Sequence, residues 1–399
     1  MKVAITGASG FVGRALVPML SAKGFDLLLV GRDEARVRAL FPGFDVCDYD
    51  GLKAAARGCD LLIHLAVANN DLDLDLAGFR AVNVDLLEKV ARAALEASIP
   101  RFLNISSVHA LDPRNTGNYA VTKREGARRL EAIFGDRATT WFLPAVHGEE
   151  WAGKLRFLNR LPGVLSRPAA SLLKALKPTV SIASLAEAIG DLAQGQGRDR
   201  IISEGQVRNR AFNLIKRLID LGFAVSLIVV FWWLLLIVWA SIRLHSKGPG
   251  LFRQDRVGRG GKIFTCYKFR TMRVGTVQAG THHVSAMAVS GRLGQFLRAT
   301  KLDELPQVWN ILRNEISLVG PRPCLPVQTE LVEARRERGV LRVMPGITGL
   351  AQSEGLDMSD PVKLAVRDAE YVALQSVLLD LRILAATFMG GGQGDKVAA

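Results

Sequence analysis

Short apolar runs alternate with helical patterns through the first half of the chain. The runs lie at Val3–Thr6, Leu27–Val30, Leu61–Ala66 and Phe102–Ile105, and amphipathic stretches such as Arg14–Lys23 separate them. Continuous apolar runs of this length are typical of strands that are buried on both faces. Strands that alternate with helices predict an α/β fold with a doubly wound parallel sheet.

A longer apolar segment follows in the middle of the chain. Leu221–Ile242 holds 22 residues without a charge, and as a helix it would be about 33 Å long, enough to cross a hydrocarbon layer of about 30 Å. Basic residues flank both ends of the segment. Positive charge normally marks the cytoplasmic side of a membrane segment, so both flanks have the charge expected on that side. Because no other stretch suits a second crossing, we expect a re-entrant hairpin over 215–247 that leaves both flanks on one side.

The charge is concentrated around that segment. The chain of 399 residues carries 52 Lys+Arg and 38 Asp+Glu, a net charge of +14. Residues 151–300 hold 23 basic and 6 acidic residues (+17), whereas residues 1–150 hold 18 and 19 (−1) and residues 301–399 hold 11 and 13 (−2). Anionic membrane lipid and phosphate-bearing substrates account for such a belt, so no nucleic acid partner is expected.

The four cysteines argue for a reducing compartment. Cys47, Cys59, Cys266 and Cys324 show neither a Cys-x-x-Cys pair nor histidines at metal-ligand spacing. This pattern argues against a disulfide framework and against a zinc site.

A glycine-rich turn follows the first predicted strand. Gly7, Gly10 and Gly13 stand between that strand and a helix, where glycine lets the backbone approach a pyrophosphate held at the helix N-terminus. At the end of the second strand Arg32 favours a cofactor with a 2′-phosphate, hence NADP. The adjacent Asp33 leaves NAD possible.

A candidate catalytic group lies further along. Tyr119 and Lys123 form a Tyr-x-x-x-Lys pattern, and Ser107 ends a predicted strand. Tyrosine needs a nearby cation to work as an acid or base at neutral pH, and Lys123 lies one helical turn away. Ser107 can hydrogen-bond a carbonyl or alkoxide oxygen while hydride moves.

Together with Asp45, Val46, His64 and Asn83, these residues resemble the extended, nucleotide-sugar branch of the short-chain dehydrogenase/reductase superfamily over residues 1 to about 205. The resemblance implies a Rossmann domain, in which Asp45 and Val46 join the glycines at the cofactor, and an NAD(P)-dependent sugar reductase or epimerase.

Two departures from that family concern the sugar pocket. Leu143 and His147 stand where arginine and tyrosine are usual, and only about 80 residues follow Lys123 in this domain. An alternative therefore stays open, in which the domain is a non-catalytic nucleotide or nucleotide-sugar binding module that regulates the second half.

Five ordered motifs fill the second half. They resemble the bacterial sugar transferase family, the monotopic polyprenyl-phosphate phosphoglycosyl transferases, from about residue 212 to 387. The motifs are Arg256–Phe264, Lys268–Arg273, Leu302–Gln307 with Trp309-Asn310, Ser317–Pro323 and Pro345–Gln352.

The residues of these motifs suit phosphoryl transfer. A carboxylate such as Asp303 can attack phosphorus, and its neighbour Glu304 can hold Mg²⁺ on phosphate oxygens. Arg270 and Arg322 can clamp phosphate through bidentate hydrogen bonds. The resemblance implies that Asp303 is the nucleophile and Glu304 the Mg²⁺ ligand. UMP then leaves a UDP-sugar, and polyprenyl phosphate accepts the phosphosugar.

One departure concerns the hairpin, because Trp232-Trp233 replaces the family's Ser-Pro and no residue predicts the bend. His282 and His283 lie outside the motifs and are expected in a loop. The sequence thus predicts a bifunctional enzyme of envelope polysaccharide synthesis, with both domains on the cytoplasmic face of the bacterial inner membrane and an open oligomeric state. Its predicted parts are a Rossmann domain (1–205), a linker (206–214), the membrane hairpin (215–247) and a mixed α/β transferase domain (248–399).

Overall fold

The computed structural model describes residues 1–148, 160, 162–195, 200–272 and 291–390. The chain divides into two compact units, Met1–Ala169 with Pro178–Glu204, and Ala170–Lys177 with Gly205–Ala399. The predicted loop position of His282 and His283 lies outside the described residues, as does Arg273 at the end of one motif.

A six-stranded parallel sheet forms the centre of the first unit. Its strands are β1 (Lys2–Thr6), β2 (Asp26–Val30), β3 (Asp45–Cys47), β4 (Leu61–His64), β5 (Phe102–Ser107) and β6 (Ala138–Leu143). They lie in the order β3-β2-β1-β4-β5-β6, and every neighbouring pair is parallel. This is the strand order of a Rossmann fold, so the predicted fold class is confirmed.

Helices cover both faces of that sheet. They are α1 (Phe11–Ala22), α2 (Glu34–Leu40), α3 (Leu52–Ala55), α4 (Leu76–Arg80), α5 (Leu87–Glu96), α6 (Asn118–Phe134), α7 (Gly163–Leu176) and α8 (Ile182–Ala193). Leu16 of α1 and Leu185 of α8 pack on one face, and Val90 of α5 and Leu130 of α6 pack on the other. The short strands β7 (Ala145–His147) and β8 (Thr179–Ser181) pair in parallel.

The last turns of α7 belong to the second unit, although the sequence places them in the first domain. Two side chains that precede the long helix of the second unit explain this. Asn209 donates to the Ser171 carbonyl at 3.1 Å, and Gln206 donates to the Lys174 carbonyl at 2.6 Å.

The second unit combines a long helix with short strands and further helices. Its strands are β9 (Leu251–Val257) with β10 (Ile263–Phe269), an antiparallel pair, and β11 (Ser317–Val319) with β12 (Gly346–Thr348), a parallel pair. Its helices are α9 (Arg210–His245), α10 (Gly291–Ala299), α11 (Val308–Leu312), α12 (Thr329–Glu337), α13 (Leu350–Ser353), α14 (Pro361–Leu374) and α15 (Val377–Phe388).

Among the described residues α9 is the one helix long and apolar enough to cross a membrane, judged by length and composition. Its most apolar window of 18 residues has a mean hydropathy of 2.7 and is 11% buried. Phe231 leaves the helical conformation, with φ −115° and ψ 17°. The break directly precedes Trp232-Trp233, where the sequence offers neither proline nor glycine.

Both ends of α9 pack on the same unit. Ala224 lies in a cluster with Val308 and Ile383, whereas Val238 and Ile242 pack with residues of β10 and α10. The apolar side chains around the break stay exposed, among them Val229, Val230, Phe231, Trp232 and Trp233. Both halves of the helix therefore contact the second unit, and exposed apolar side chains gather at the break between them.

Candidate active sites

A tight turn carries the two predicted catalytic carboxylates. Asp303 and Glu304 lie in a 3₁₀ turn, Leu302–Gln307, that follows Lys301. Lys301 has a φ of +57°, a left-handed conformation that is uncommon outside glycine and often occurs at functional turns. Asp303 is 8% exposed, so its carboxylate is largely shielded from water.

Cations surround Glu304. Lys268 Nζ donates to Glu304 Oε1 at 2.6 Å, and Arg322 Nη2 lies 3.5 Å from the same oxygen. Burial alone would raise the pKa of Glu304, but Lys268 and then Arg322 outweigh it and lower that pKa to about 2. Glu304 is therefore ionised at neutral pH. Arg322, which the sequence predicts to bind phosphate, lies beside it.

Arg298 adds a further cation to this end of the second unit. It lies in the last turn of α10, and its Nη1 is buried without a hydrogen-bond partner in the part of the chain that the structure describes. Arg298 was not singled out from the sequence, and its position five residues before Asp303 is the signal that could have found it.

Arg270 holds the end of the long helix. Its guanidinium is 6% exposed and donates to the carbonyls of Ser246 (2.9 Å) and Lys247 (3.2 Å) and to Ser246 Oγ (2.6 Å). These residues directly follow α9. The phosphate clamp at Arg270 stays a prediction, and these contacts give the guanidinium a structural role that the sequence did not indicate.

Asn310 was noted in the sequence only as part of a motif, and the structure shows what it does. The side chain is fully buried; its Oδ1 accepts from Tyr267 N at 3.1 Å and its Nδ2 donates to the Thr265 carbonyl at 2.8 Å. Both contacts lie on β10, immediately before Lys268. Asn310 thus fixes the strand that brings Lys268 to Glu304.

The predicted metal ligand, Glu304, suits a magnesium ion. No cluster of three or more His, Cys, Asp or Glu side chains forms a metal site within the described residues. Mg²⁺ commonly takes one or two carboxylates and completes its shell with water and substrate phosphate. Glu304 supplies one such carboxylate.

In the first unit, the glycine turn forms a cradle without room for side chains. Gly7 has a φ of +74°, and a Cβ there would lie 2.6 Å from Ala66 N. A Cβ at Gly13 would lie 2.6 Å from the carbonyl oxygens of Gly7 and Ala8. Gly10 N-caps α1, so the helix N-terminus faces this cradle. The bare backbone fits the pyrophosphate of a dinucleotide.

Asp33, the acidic residue next to Arg32, caps a helix. Asp33 Oδ1 accepts from Arg36 N at 2.9 Å and caps α2, whereas Arg32 is exposed after the end of β2. Arg32 is thus the more available of the two side chains at this edge.

The predicted cofactor residues Asp45 and Val46 lie within β3, and their contact with the cofactor stays a prediction. Asp45 begins β3 beside Leu28, two residues before the strand ends, and its carboxylate lies 3.8 Å from Lys2 Nζ. Val46 packs against the hydrophobic core. The carboxylate that follows β3 is Asp48, which accepts from Gly51 N at 2.7 Å.

Ser107 and Tyr119 come together at the end of β5. Burial raises the pKa of Tyr119, and the neighbouring Ser107 side chain opposes this effect in part. Lys123 Nζ donates to the Ile105 carbonyl at 2.9 Å, and burial lowers the pKa of Lys123 to about 8. The pKa of Tyr119 is therefore raised, contrary to the lowering by Lys123 that the sequence predicts.

Comparison with known proteins agrees with two functional parts. Residues 211–392 match the model of the bacterial sugar transferase family, and residues 3–161 match that of the NAD dependent epimerase/dehydratase family. The chain belongs to the bacterial sugar transferase family, with an epimerase/dehydratase-like first half.

Curated relatives match the second half. The UDP-glucose:undecaprenyl-phosphate glucose-1-phosphate transferase of Caulobacter vibrioides is 38% identical over 46% of this chain and 72% of its own. The exopolysaccharide production protein PSS of Rhizobium leguminosarum is 37% identical over 44% of this chain and 93% of its own. The chain spans only 40% of a Xanthomonas campestris relative, which is 36% identical over 46% of this chain and has the same name as the Caulobacter protein.

Solved structures resemble the first half. WbmG of Bordetella bronchiseptica in complex with NAD and UDP is 22% identical, with a TM-score of 0.39 over 50% of this chain and 72% of its own. The UDP-N-acetylglucosamine 4-epimerase of Bacillus cereus is 16% identical, with a TM-score of 0.40 over 53% of this chain and 82% of its own.

Proposed function

We propose that the second unit transfers a sugar 1-phosphate from a UDP-sugar to polyprenyl phosphate in envelope polysaccharide synthesis. The observation that carries the proposal is the buried Asp303 next in sequence to Glu304, whose carboxylate lies beside Lys268 and Arg322. Such a cluster is suited to bind and cleave a diphosphate. The names of relatives in Caulobacter and Xanthomonas support this donor and this acceptor.

The first half-reaction uses Asp303 as a nucleophile. One carboxylate oxygen attacks the phosphorus next to the sugar and forms an acyl phosphate, while the bond from that phosphorus to the bridging oxygen breaks. The bridging oxygen leaves with UMP. Lys268, Arg298 and Arg322 offset the negative charge on the phosphate oxygens.

The second half-reaction restores the enzyme. A phosphate oxygen of polyprenyl phosphate attacks the phosphorus of the aspartyl phosphosugar, and the bond from that phosphorus to Asp303 breaks. The products are a polyprenyl diphosphate sugar and free Asp303. Glu304, held ionised by its cations, would hold Mg²⁺ together with substrate oxygens, and the ion would supply charge neutralisation at the diphosphate.

A nucleophile test uses a screen of UDP-sugars for UMP release. Asp303→Asn should abolish release with the UDP-sugar that the wild type accepts, and radiolabelled sugar phosphate should no longer attach to the protein. The control is Asp255→Asn, an exposed carboxylate that accepts from Thr265 Oγ1, which should keep wild-type turnover. Undiminished UMP release by Asp303→Asn would rule out this nucleophile.

The hairpin proposal concerns α9, which dips into the membrane and returns to the cytoplasmic face, so that both domains are cytoplasmic. The break at Phe231 and the packing of both helix ends on one unit support it. Anionic headgroups would meet the flanking basic residues. Single cysteines at Asn213 and Lys247 should resist an impermeant reagent in intact spheroplasts and react after lysis. Labelling of either from the periplasmic side overturns the hairpin.

For the first unit, the proposal is NADP-linked reduction or epimerisation of a nucleotide sugar at a keto carbon, with NAD also possible. The position of Ser107 at the end of β5, with Tyr119 in the first turn of α6, supports it, because both hydroxyls could face the reacting oxygen. Oxidation of NADPH by a 4-keto nucleotide sugar should be lost in Tyr119→Phe. The control is Tyr267→Phe, in the second unit, which should keep that activity.

A regulatory binding module is the second candidate for the first unit. Burial raises the pKa of Tyr119, which makes this tyrosine a poorer acid–base catalyst at neutral pH. The ammonium of Lys123 donates to the Ile105 carbonyl and is thereby engaged away from Tyr119. Both observations favour a binding module. A protein that binds NADPH but never oxidises it with any nucleotide sugar would select this candidate. Turnover that depends on Tyr119 would exclude it.

A further inference from the structure

Arg322 is carried by a loop whose backbone is held from several sides. Four successive carbonyl oxygens of the loop accept hydrogen bonds: Pro321 from Gly346 N (3.0 Å), Arg322 from Arg335 Nη1 (2.8 Å), Pro323 from Arg256 Nη1 (2.8 Å) and Cys324 from Val257 N (2.9 Å). Two of these four donors are arginine side chains, buried or half-buried, from elements outside the loop.

Arg335 is an unusual residue to find in this place. It lies on α12, is 2% exposed, and donates through Nε (2.9 Å) and Nη2 (2.6 Å) to Oδ2 of Asp368 on α14. Burying an ion pair is a poor route to stability, because apolar side chains of similar volume often serve as well or better. What a guanidinium adds is a rigid fork of donors in one plane. Asp368 fixes that fork, and its third arm reaches the Arg322 carbonyl.

We propose that Arg335, oriented by Asp368, is a positioning residue for Arg322. By fixing the peptide group of Arg322 it keeps that guanidinium beside Glu304, ready for the diphosphate of the nucleotide sugar. The inference rests on the proposed transferase function of the second unit.

The geometry of the loop explains why one hydrogen bond matters. Pro321 and Pro323 each have a fixed φ, so the torsions left to the chain between them are mainly φ and ψ of Arg322 and ψ of Pro321, and a hydrogen bond to the Arg322 carbonyl restrains them. Arg322 Nη2 lies 3.5 Å from Glu304 Oε1, and a change in these torsions would move the guanidinium. A displacement of about 1 Å in a catalytic group can cost about a hundredfold in rate.

The test removes the ion pair without leaving a buried charge. Arg335→Met with Asp368→Leu replaces both members by apolar side chains in the full chain, purified in detergent. We expect kcat/KM for UMP release from UDP-glucose, or from the UDP-sugar that the screen selects, to fall about tenfold to a hundredfold. The melting temperature should fall only slightly, because the substitution removes one donor to the Arg322 carbonyl and leaves no buried charge. The control is Arg336→Met, the next residue on α12, whose side chain bonds Glu333 at the surface and which should leave both quantities unchanged.

A double-mutant cycle with Arg322→Met separates positioning from a general structural role. If Arg335 acts through Arg322, the paired substitution should cost less than about twofold more in the Arg322→Met background. Equal losses in both backgrounds, or no loss in the wild-type background, would overturn the inference. The same cycle is read from the Kd of UDP. If the wild type releases no UMP, the proposed transferase function is wrong. The Kd values for UDP in the same four variants still test whether Arg335 acts through Arg322.

Discussion

Lys268 Nζ lies 2.6 Å from Glu304 Oε1, and this hydrogen bond joins β10 to the turn that carries both carboxylates. A hydrogen bond between two charged groups is shorter and stronger than one between neutral groups. The hydrogen bond from Lys268 stabilises the ionised carboxylate of Glu304, whereas burial favours the neutral acid. The site thus has an ionised acid at neutral pH because a lysine from another element is beside it.

Lys268→Met should move the acid limb of the pH profile for UMP release to higher pH. In the wild type Glu304 protonates near pH 2 instead of its usual 4.5, so the stabilisation from its ion pairs is complete above pH 4.5 and is lost as the pH falls towards 2. Without Lys268, burial raises the pKa of Glu304. The measurement is kcat/KM between pH 4 and 9, with Lys262→Met, an exposed lysine, as the control. Coincident acid limbs would show that Lys268 does not govern Glu304.

Arg270→Met should lower stability and leave substrate affinity unchanged. The substitution leaves the carbonyls of Ser246 and Lys247 without their donor, at a cost of about 1–3 kcal/mol for each buried group. The melting temperature of the detergent-solubilised protein should fall, while KM for the UDP-sugar stays near the wild-type value. Arg322→Met should do the reverse. A rise in KM for Arg270→Met as large as that for Arg322→Met would support the phosphate role predicted for Arg270.

Gly13→Ala should weaken cofactor binding. The new methyl group would lie 2.6 Å from the carbonyl oxygens of Gly7 and Ala8, so the turn must open. We expect the Kd of NADPH, measured by fluorescence, to rise by about tenfold or more, which corresponds to about 1.4 kcal/mol. Gly190→Ala is the control, because a Cβ there meets nothing within 4 Å in α8 and should stabilise the helix by about 0.5–1 kcal/mol. Equal NADPH affinity in Gly13→Ala and the wild type would remove the turn from the cofactor site.

Arg32→Asp should shift cofactor preference from NADPH towards NADH. The exposed guanidinium lies after β2, where a 2′-phosphate would meet it, and Asp33 is occupied in capping α2. The ratio of the two Kd values should change by about tenfold or more, a difference of about 1.4 kcal/mol. Arg36→Asp, on the exposed side of α2, controls for charge alone. An unchanged ratio in Arg32→Asp would contradict the assignment of NADP.

The apolar pattern of the sequence located four of the six strands of the parallel sheet but not the ends of the strands. Apolar runs located β1, β2, β4 and β5 because a strand buried on both faces must be apolar along its length. Pairing decides where a strand ends, and β3 ends level with Val30 of β2. That register places Asp48 after the strand and Asp45 inside it, a distinction that no local pattern contains.

Arginine roles were the hardest part of the site to predict. A guanidinium binds a phosphate or a set of backbone carbonyls through the same donors, so motif position cannot separate Arg322 from Arg270. Only tertiary proximity distinguishes them, since Arg270 lies against the end of α9 and Arg322 beside Glu304. The same reason explains why Arg335 was not singled out: its partners are 13 and 33 residues away in sequence.

The break at Phe231 has a consequence for the energy of the proposed hairpin. Moving a lysine or arginine to the centre of a bilayer costs about 2.5–3.5 kcal/mol on insertion scales, and a spanning helix would have to carry every charge on one flank through. A helix that turned back at Phe231 would carry none, because no charge lies between Leu221 and Ile242. In the proposed hairpin, entry into the lipid would therefore move no charged side chain across the bilayer.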